Sequence, residues 1–245
     1  MANKAIIKAI HNNGTGRFSL GLTEDGDLVG RGRFISNSVD KKVRLFDDFL
    51  GDVIADQWNV VEGADTSTSD AAIVSGLGGM LRMTTGDSAT VTYAGNGIQI
   101  TQGAFYNWKA GNGGLRLEAR IKLDAITTVA FFVGFTDLGT FEAPIESAAS
   151  ADTITTNATD AVGFMFDTRM STDNIWLVGV KNDVDATAQN SGVAPVAATY
   201  ITLTVEVDSA GIARFYINGS PVGTAMSAAI TTTVALTPTV AAASL

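Results

Sequence analysis

One stretch near the end of the chain, GIARFYINGSPVGTAM at Gly211–Met226, constrains the fold more than any other. Apolar and polar residues alternate from Ile212 to Ile217, which is the period of a strand with one buried face. Asn218-Gly219 then interrupts the run, and both residues tolerate the positive φ that a two-residue hairpin turn requires. Because the apolar pattern resumes at Pro221-Val222, the stretch predicts a β-hairpin.

Short apolar runs separated by Gly, Asn, Asp and Ser predict that the rest of the main domain is also built from strands. Leu115–Leu123 and Tyr200–Val207 alternate cleanly, so each should bury one face. Val129–Thr136 and Ala161–Asp167 contain nearly continuous apolar runs, which are typical of strands buried on both faces. No amphipathic helix of twelve or more residues is evident. The other predicted strands are Ala71–Ser75, Met80–Thr84, Ala89–Tyr93, Ile98–Thr101, Ile175–Lys181, Ala213–Ile217 and Thr233–Ala241.

The first 44 residues differ in composition from the remainder. They hold six glycines and eight of the 16 Lys and Arg residues against four acidic residues, a net charge of +4, whereas residues 45–245 carry −13. This asymmetry predicts a basic, Gly-rich arm at 1–44 that docks on an acidic partner, followed by a β-sandwich at 45–245. A solvated tail is the alternative interpretation. The residues expected to bind the partner are Lys4, Lys8, Arg17, Phe18, Arg31, Arg33, Phe34, Lys41, Lys42 and Arg44.

The composition excludes several kinds of function. The chain has no cysteine, which rules out disulfides, thiol catalysis and cysteine–zinc sites, and its single histidine, His11, argues against a histidine-based triad. With a net charge of −9 and no basic run interleaved with aromatic residues, we expect no nucleic-acid partner. No apolar stretch approaches the roughly 20 residues of a membrane span, and no signal peptide is evident, so we expect no membrane partner.

The order of the motifs supports a resemblance to a known family. Phe46-Asp47-Asp48-Phe49 is followed by Trp58, and the chain later runs Val207-Asp208 and then Gly211-Ile212-Ala213-Arg214-Phe215-Tyr216-Ile217-Asn218-Gly219-Ser220-Pro221-Val222. Over residues 45–245 this pattern resembles the concanavalin A-like lectin/glucanase (LamG-type) jelly roll. The resemblance implies an all-β fold, a two-sheet antiparallel jelly-roll sandwich, here preceded by an extended N-terminal arm.

Two further expectations depend on that resemblance. Members of the family usually close with a strand that returns beside the opening one. Two alternatives are open here. Either Thr237–Leu245 forms that closing strand, or a strand from a neighbouring chain completes the sandwich. In overall style, a sandwich with a Gly-rich arm and no signal peptide is similar to structural proteins of tailed bacteriophages, such as head decoration proteins.

Catalytic residues of this family are not found in the sequence. A glucanase of this fold uses carboxylates in an E-x-D-x-x-E strand, and a retaining pair lies about 5–5.5 Å apart. No such motif is present, and Glu118 alone is best interpreted as an outward-facing residue. The sequence therefore predicts a protein that is not an enzyme, with no catalytic residue, cofactor or metal site. Asp183/Asp185 and Asp173/Asn174 could supply oxygens to calcium, but turn formation by these side chains is the simpler interpretation.

Aromatic residues beside a Gly-rich turn suggest a surface for a sugar ring. Tyr106 and Trp108, in FYNWKAGNGG, are the candidates for glycan stacking, whereas Trp176, in IWLV, is expected to be buried. Packing in a core or an interface is the alternative for all of them.

Together these observations favour a non-enzymatic virion structural protein. The specific hypothesis is a bacteriophage capsid decoration (cement) protein on the phage head surface. Its arm would bind the major capsid protein or another virion protein, and the protein would form a homo-oligomer, with a trimer favoured. The alternative is a carbohydrate-binding, lectin-like module, either free or on a phage fibre.

Overall fold

The computed structural model describes residues 45–65, 68–74, 79–87, 92–103, 108–138, 144–147, 154–227 and 229–245. The chain divides into two units, Met1–Phe46 and Asp47–Leu245, and the fold below is that of the second. The arm, with all ten of its predicted partner-binding residues, lies outside the described residues. The arm's role and the domain boundary at 44/45 therefore stay predictions.

Sixteen strands lie within the described residues, with one short helix, α1, at Tyr93–Asn96 and a 3-10 turn at Ala110–Asn112. None of the described helices is long and apolar enough to cross a membrane. In chain order the strands are β1 (Asn59–Glu62), β2 (Asp70–Val74), β3 (Met80–Thr84), β4 (Gly97–Thr101), β5 (Leu115–Lys122), β6 (Val129–Thr136), β7 (Ile145–Ser147), β8 (Ile154–Thr156), β9 (Asp160–Asp167), β10 (Trp176–Lys181), β11 (Val184–Asp185), β12 (Gln189–Asn190), β13 (Tyr200–Val207), β14 (Ala213–Ile217), β15 (Ser220–Met226) and β16 (Thr237–Ser244).

The strands form two main antiparallel sheets. The large sheet has eight strands in the order β1-β4-β16-β6-β9-β10-β11, with β12 also paired to β10. The small sheet has the order β15-β14-β13-β5, and the hairpins β2-β3 and β7-β8 are separate two-stranded sheets. The predicted all-β, two-sheet antiparallel jelly-roll sandwich is confirmed.

The main core lies between the two sheets. In β13, Leu203 and Val205 are buried, while Tyr200 at its start is exposed, as the alternation of Tyr200–Val207 predicts. These residues face the apolar side chains of β6 and β9, and Phe164 of β9 meets Phe215 of β14 edge-to-face with ring centroids 5.4 Å apart. Burial of these apolar and aromatic side chains stabilises the sandwich.

The large sheet is buried on its outer face as well, as the continuous apolar runs predict. Phe132 of β6, Met165 of β9 and Val178 of β10 form a second apolar cluster there, together with Tyr93 of α1 and Ile145 of β7. The sheet's centre also needs glycine: Gly134 and Gly163 are opposite one another on β6 and β9. A Cβ atom at Gly163 would lie 2.3 Å from the carbonyl oxygen of Val133, so no larger residue fits without displacing the backbone.

The hairpin predicted from Gly211–Met226 is also present. β14 and β15 pair across Asn218 and Gly219, whose φ angles are 51° and 78°. Positive φ at both positions is the geometry of a type I′ turn, which matches the right-handed twist of the flanking strands.

The end of the chain differs from the prediction. The last strand spans Thr237–Ser244 rather than Thr233–Ala241, because Thr231–Val234 forms a turn and Leu236 bridges to Trp108. This strand, β16, lies between β4 and β6 in the large sheet. Residues near the end of this chain therefore provide a strand of the large sheet, as the first alternative predicts, but β4 separates it from the opening strand β1, so it does not return directly beside that strand.

A second difference concerns Ala89–Tyr93, of which only Thr92 and Tyr93 are described. These two residues begin a helix instead of ending a strand. The hydroxyl of Thr92 accepts the N–H of Gly95 at 3.0 Å and so caps α1. An N-cap of this kind satisfies a donor that a helix terminus leaves unpaired, which favours the helical turn here.

Candidate functional site

A half-buried tryptophan and an exposed asparagine lie together at one end of the large sheet's outer face. Trp176 is the first residue of β10, and its cross-strand partners are Met165 of β9 and Asn190 of β12. Directly opposed residues in a sheet direct their side chains to the same face. The ring of Trp176 is therefore flanked by an apolar side chain on one side and an amide on the other. We call Thr172, Asn174, Trp176 and Asn190 the β10 site.

The amides of the β10 site form a network that leaves donors and acceptors available. Asn190 Oδ1 accepts the backbone N–H of Gly192 at 2.8 Å and the Nδ2 group of Asn174 at 3.0 Å. Asn190 Nδ2 donates to the hydroxyl of Thr172 at 3.1 Å. Because each amide nitrogen carries two protons, Asn174 and Asn190 each keep one, and the Thr172 hydroxyl keeps its own. The network thus fixes the side chains and still offers three donors.

An ion pair anchors the loop that carries the site. Asp167 ends β9 with a side chain that is fully buried, and its carboxylate is held by Arg169 Nη2 at 2.7 Å and Nε at 3.0 Å. The backbone N–H of Arg169 also donates to Asp167, at 2.9 Å. Such a bidentate pair fixes both position and orientation, since the guanidinium and the carboxylate are planar. Residues 168–175, which include Thr172 and Asn174, therefore start from a rigid point.

The indole of Trp176 differs from the other two in its hydrogen bonding. Trp58 Nε1 donates to Asp47 at 2.7 Å, and Trp108 Nε1 donates to Gln102 at 2.8 Å. Trp176 Nε1 is shielded from solvent and has no acceptor among the described groups. A buried donor without an acceptor is costly. Of the three tryptophans, Trp176 is therefore the one whose indole N–H lacks a hydrogen-bond acceptor among the described groups.

The predicted stacking residues lie elsewhere. Tyr106 is outside the described residues. Trp108 is half-buried, packs against the core between the sheets and pairs with Leu236. Its role in glycan stacking stays a prediction. Trp176 is half-buried, not buried as its place in the uniformly apolar IWLV predicts. The signal that could have identified it is its place at the start of a strand, two residues after the polar run Ser171–Asn174.

The described carboxylates are spread over the molecule. Glu118, as predicted, faces outward from the small sheet, where its side chain is 54% exposed and pairs with Arg116 at 2.8 Å. Along β9, the outward residues are Ala161, Gly163, Met165 and Asp167. Within the described part of the chain, no three His, Cys, Asp or Glu side chains are grouped so that they could hold a metal ion.

The candidate calcium positions also have local partners. Asn174 belongs to the amide network of the β10 site, and Asp185 accepts the hydroxyl of Thr156 at 2.9 Å. A pair of carboxylates lies at the other end of β9, where burial raises the pKa of Asp137 and the nearby carboxylate of Asp160 adds to the rise. Asp160 in turn accepts the backbone N–H of Thr231. These contacts are within the protein and account for the conformation of these acidic side chains.

Comparisons with known proteins identify a shared fold. No family model matches the chain, and no curated protein matches it in sequence. Among solved structures, the chain is similar to a glycoside hydrolase family 16 endo-glucanase from Bacteroides ovatus, at 10% identity over 81% of this chain and 85% of that one, with a TM-score of 0.53.

Two other solved structures match less well. A carbohydrate esterase from a Shiga toxin-encoding bacteriophage is 13% identical over 76% of this chain and 87% of that one, with a TM-score of 0.43. A carbohydrate-binding module from Bacillus subtilis is 10% identical over 76% and 86%, with a TM-score of 0.39.

The endo-glucanase comparison shows that the two chains share a fold, and it corrects one prediction. The conclusion that the protein is not an enzyme is wrong, because an endo-glucanase has the same fold. The missing E-x-D-x-x-E motif excludes one arrangement of catalytic carboxylates, whereas a single fold hosts many chemistries at different sites.

Proposed function

We propose that this protein binds carbohydrate and that the ligand lies on the outer face of the large sheet at the β10 site. The observation that carries the proposal is the cross-strand pair of Trp176 and Asn190. It places a partly exposed aromatic ring beside a polar network with unused hydrogen-bonding capacity.

The chemistry of a sugar ring fits this arrangement. A pyranose has an apolar face of C–H groups, which an indole ring can contact, and a rim of hydroxyls that both donate and accept hydrogen bonds. Amide and hydroxyl side chains supply both functions in a fixed geometry. Here the apolar contact comes from Trp176, and the polar contacts come from Asn174, Asn190 and Thr172.

A matched pair of tryptophan variants tests this proposal. A glycan array first identifies a ligand for the wild-type protein, and calorimetry then measures its affinity for Trp176→Phe and Trp108→Phe. We expect Trp176→Phe to weaken binding by about tenfold or more, because the larger ring supplies more contact area. Asn190→Ala should weaken binding as well, whereas Trp108→Phe should bind within about twofold of the wild type.

Two results would contradict the proposal. One is an array with no bound glycan, followed by no heat of binding with neutral and acidic oligosaccharides. The other is a loss of affinity in Trp108→Phe with none in Trp176→Phe, which would favour the Trp108 surface instead.

A second candidate function rests on the charge distribution along the sequence. We propose, as the alternative, a bacteriophage capsid decoration protein on the head surface, with the arm at residues 1–44 bound to the major capsid protein or another virion protein. The supporting observation is the net charge of +4 in the arm against −13 in residues 45–245. A basic segment of this kind favours an acidic docking surface.

Mass spectrometry of purified particles from the encoding phage tests the second candidate. The protein should be present in intact heads, and the variant Arg31→Glu/Arg33→Glu should be depleted from them. Absence from wild-type particles, or equal incorporation of the variant, would contradict the decoration role.

A further inference from the structure

The last strand of the small sheet, β5, has one open edge. Among the described residues, β5 is hydrogen-bonded to β13 on one side and to no strand on the other. An eight-residue edge is long enough to accept another strand, because its free N–H and C=O groups form a template for pairing.

The core is incomplete along the same edge. Leu117, Ala119 and Ile121 point inward from β5 but are only partly buried. Their neighbours on β13, such as Leu203 and Val205, are almost completely buried. The half-buried side chains on β5 therefore lack the apolar contacts that a further strand of the sheet would provide.

The outward residues of β5 carry alternating charges that complement themselves in one antiparallel register. They are Arg116, Glu118, Arg120 and Lys122, and Asp124 follows two residues after the strand. If Arg120 lies on a two-fold axis, Glu118 of each copy is opposite Lys122 of the other, and Arg116 is opposite Asp124. Shifting the axis to residue 119 instead would place Arg116 opposite Lys122. The inward residues of the first register are apolar throughout, with Leu117 opposite Leu123 and Ala119 opposite Ile121.

The one unfavourable pair in that register is formed by Arg120 of the two copies, and a contact within each chain reduces their repulsion. Arg120 of both copies would meet at the axis, but its guanidinium lies 4.2 Å above the ring of Tyr200. Tyr200 is on β13, opposite Lys122, so this contact draws the charge of Arg120 away from the open edge. A cation over an aromatic face is stabilised there even at an exposed site.

We propose that two copies of this protein associate through β5, antiparallel and centred on Arg120, so that their small sheets become one eight-stranded sheet. A two-fold interface of this kind buries the same patch on both subunits, and backbone hydrogen bonds across the edge provide most of the specificity of direction. The proposal is independent of glycan binding, since the β10 site is on the large sheet.

Sedimentation equilibrium of the full chain tests the interface. The wild type should be a dimer at concentrations on the order of 100 µM. Glu118→Lys places two lysine pairs in opposition and should weaken the dimer by about tenfold or more. The double variant Glu118→Lys/Lys122→Glu exchanges the two charges and should restore the wild-type constant to within about threefold.

Arg214→Glu is the matched control, because Arg214 lies on the same outer face but on β14, two strands away from the edge. It should leave the dimer constant unchanged, and circular dichroism should show that all variants keep their β structure. A monomeric wild type would overturn the proposal, since charged edge residues would then serve to prevent pairing. A dimer unaffected by Glu118→Lys, or not restored by the charge exchange, would overturn it as well.

Discussion

The two sheets of this sandwich differ in how many of their faces are buried. The small sheet buries one face and exposes the other, so that Glu118 and Tyr200 on β5 and β13 are open to solvent. The central strands of the large sheet are buried on both faces, and Phe132 and Met165 on its outer side are as inaccessible as residues in the main core. The comparison teaches that alternation identifies a strand with one solvated face, while its loss marks the strands around which further layers assemble.

Because the outer face of the large sheet is buried at Phe132, we expect a substitution there to have the largest effect on the free energy of unfolding. Replacing Phe132 by Ala removes a completely buried ring from the outer cluster, and we expect a loss of about 3–5 kcal/mol in the free energy of unfolding. Thr202→Ala, on the outer face of the small sheet, should cost about 0.5 kcal/mol or less. Urea denaturation measures both. Similar losses for the two variants would mean that the outer face of the large sheet is not a second core.

The glycine pair gives a somewhat smaller effect. Gly163→Ala should lower the free energy of unfolding by about 1–3 kcal/mol, because the new methyl group meets the Val133 carbonyl and Gly134. Gly51→Ala is the control, since a Cβ there would make only an ordinary contact 3.4 Å from the Val53 carbonyl. If thermal unfolding shows that the two variants are equally stable, β6 and β9 are not as close as the structure has them.

Two aspartates, one beside each sheet, should contribute to the stability of the fold with opposite dependence on pH. In the turn between β13 and β14 of the small sheet, Asp208 accepts the N–H groups of Ile212 and Ala210 at 3.0 Å and pairs with Arg214, and these contacts lower its pKa from the usual 3.8. The folded protein thus binds its proton less tightly than the unfolded chain, so the stabilisation is present above pH 3.8 and is lost as the pH falls through the lowered pKa.

Asp208→Asn should therefore lower the melting temperature at pH 7, with a difference from the wild type that shrinks on acidification below the usual pKa of 3.8. Thermal melts in a pH series measure the effect. A difference that stays constant down to pH values below the lowered pKa would show that the carboxylate charge is not what holds this turn.

At the end of β6 in the large sheet, Asp137 should give the smallest effect and the opposite sign. Burial raises its pKa above 3.8, so the folded protein keeps the proton longer than the unfolded chain does. Stability contributed by this residue therefore falls as the pH rises from 3.8 through the raised pKa. Asp137→Asn should slightly raise the melting temperature at neutral pH and leave it unchanged in acid. A lower melting temperature at neutral pH would contradict this assignment.

Much of the small sheet could be predicted from its sequence. Tyr200–Val207 and Ala213–Ile217 are strands with the predicted bounds, and Asn218-Gly219 forms the predicted turn, because local backbone preferences and burial favour the same structure there. The large sheet was predicted less completely. Its last strand is displaced by four residues at its start, since the Ala-rich end of the chain has no alternation to fix its limits.

The candidate site was the least predictable part. Trp176 and Asn190 are 14 positions apart in sequence, and only the pairing of β10 with the two-residue strand β12 brings them together. No local pattern encodes that pairing, because so short a strand has too few residues to show a period. The exclusion of enzymes failed for a related reason: a sequence motif tests one arrangement of residues, whereas a fold can carry a site in several places.

The indole N–H signals in a ¹⁵N-correlated NMR spectrum test the central claim most directly. The protein has three tryptophans and hence three such signals, two of them from groups already bonded to Asp47 and Gln102. On titration with an oligosaccharide that the protein binds, we expect the Trp176 signal, assigned by its loss in Trp176→Phe, to shift while those of Trp58 and Trp108 stay in place. A shift of the Trp108 signal with Trp176 unmoved would contradict the proposed site.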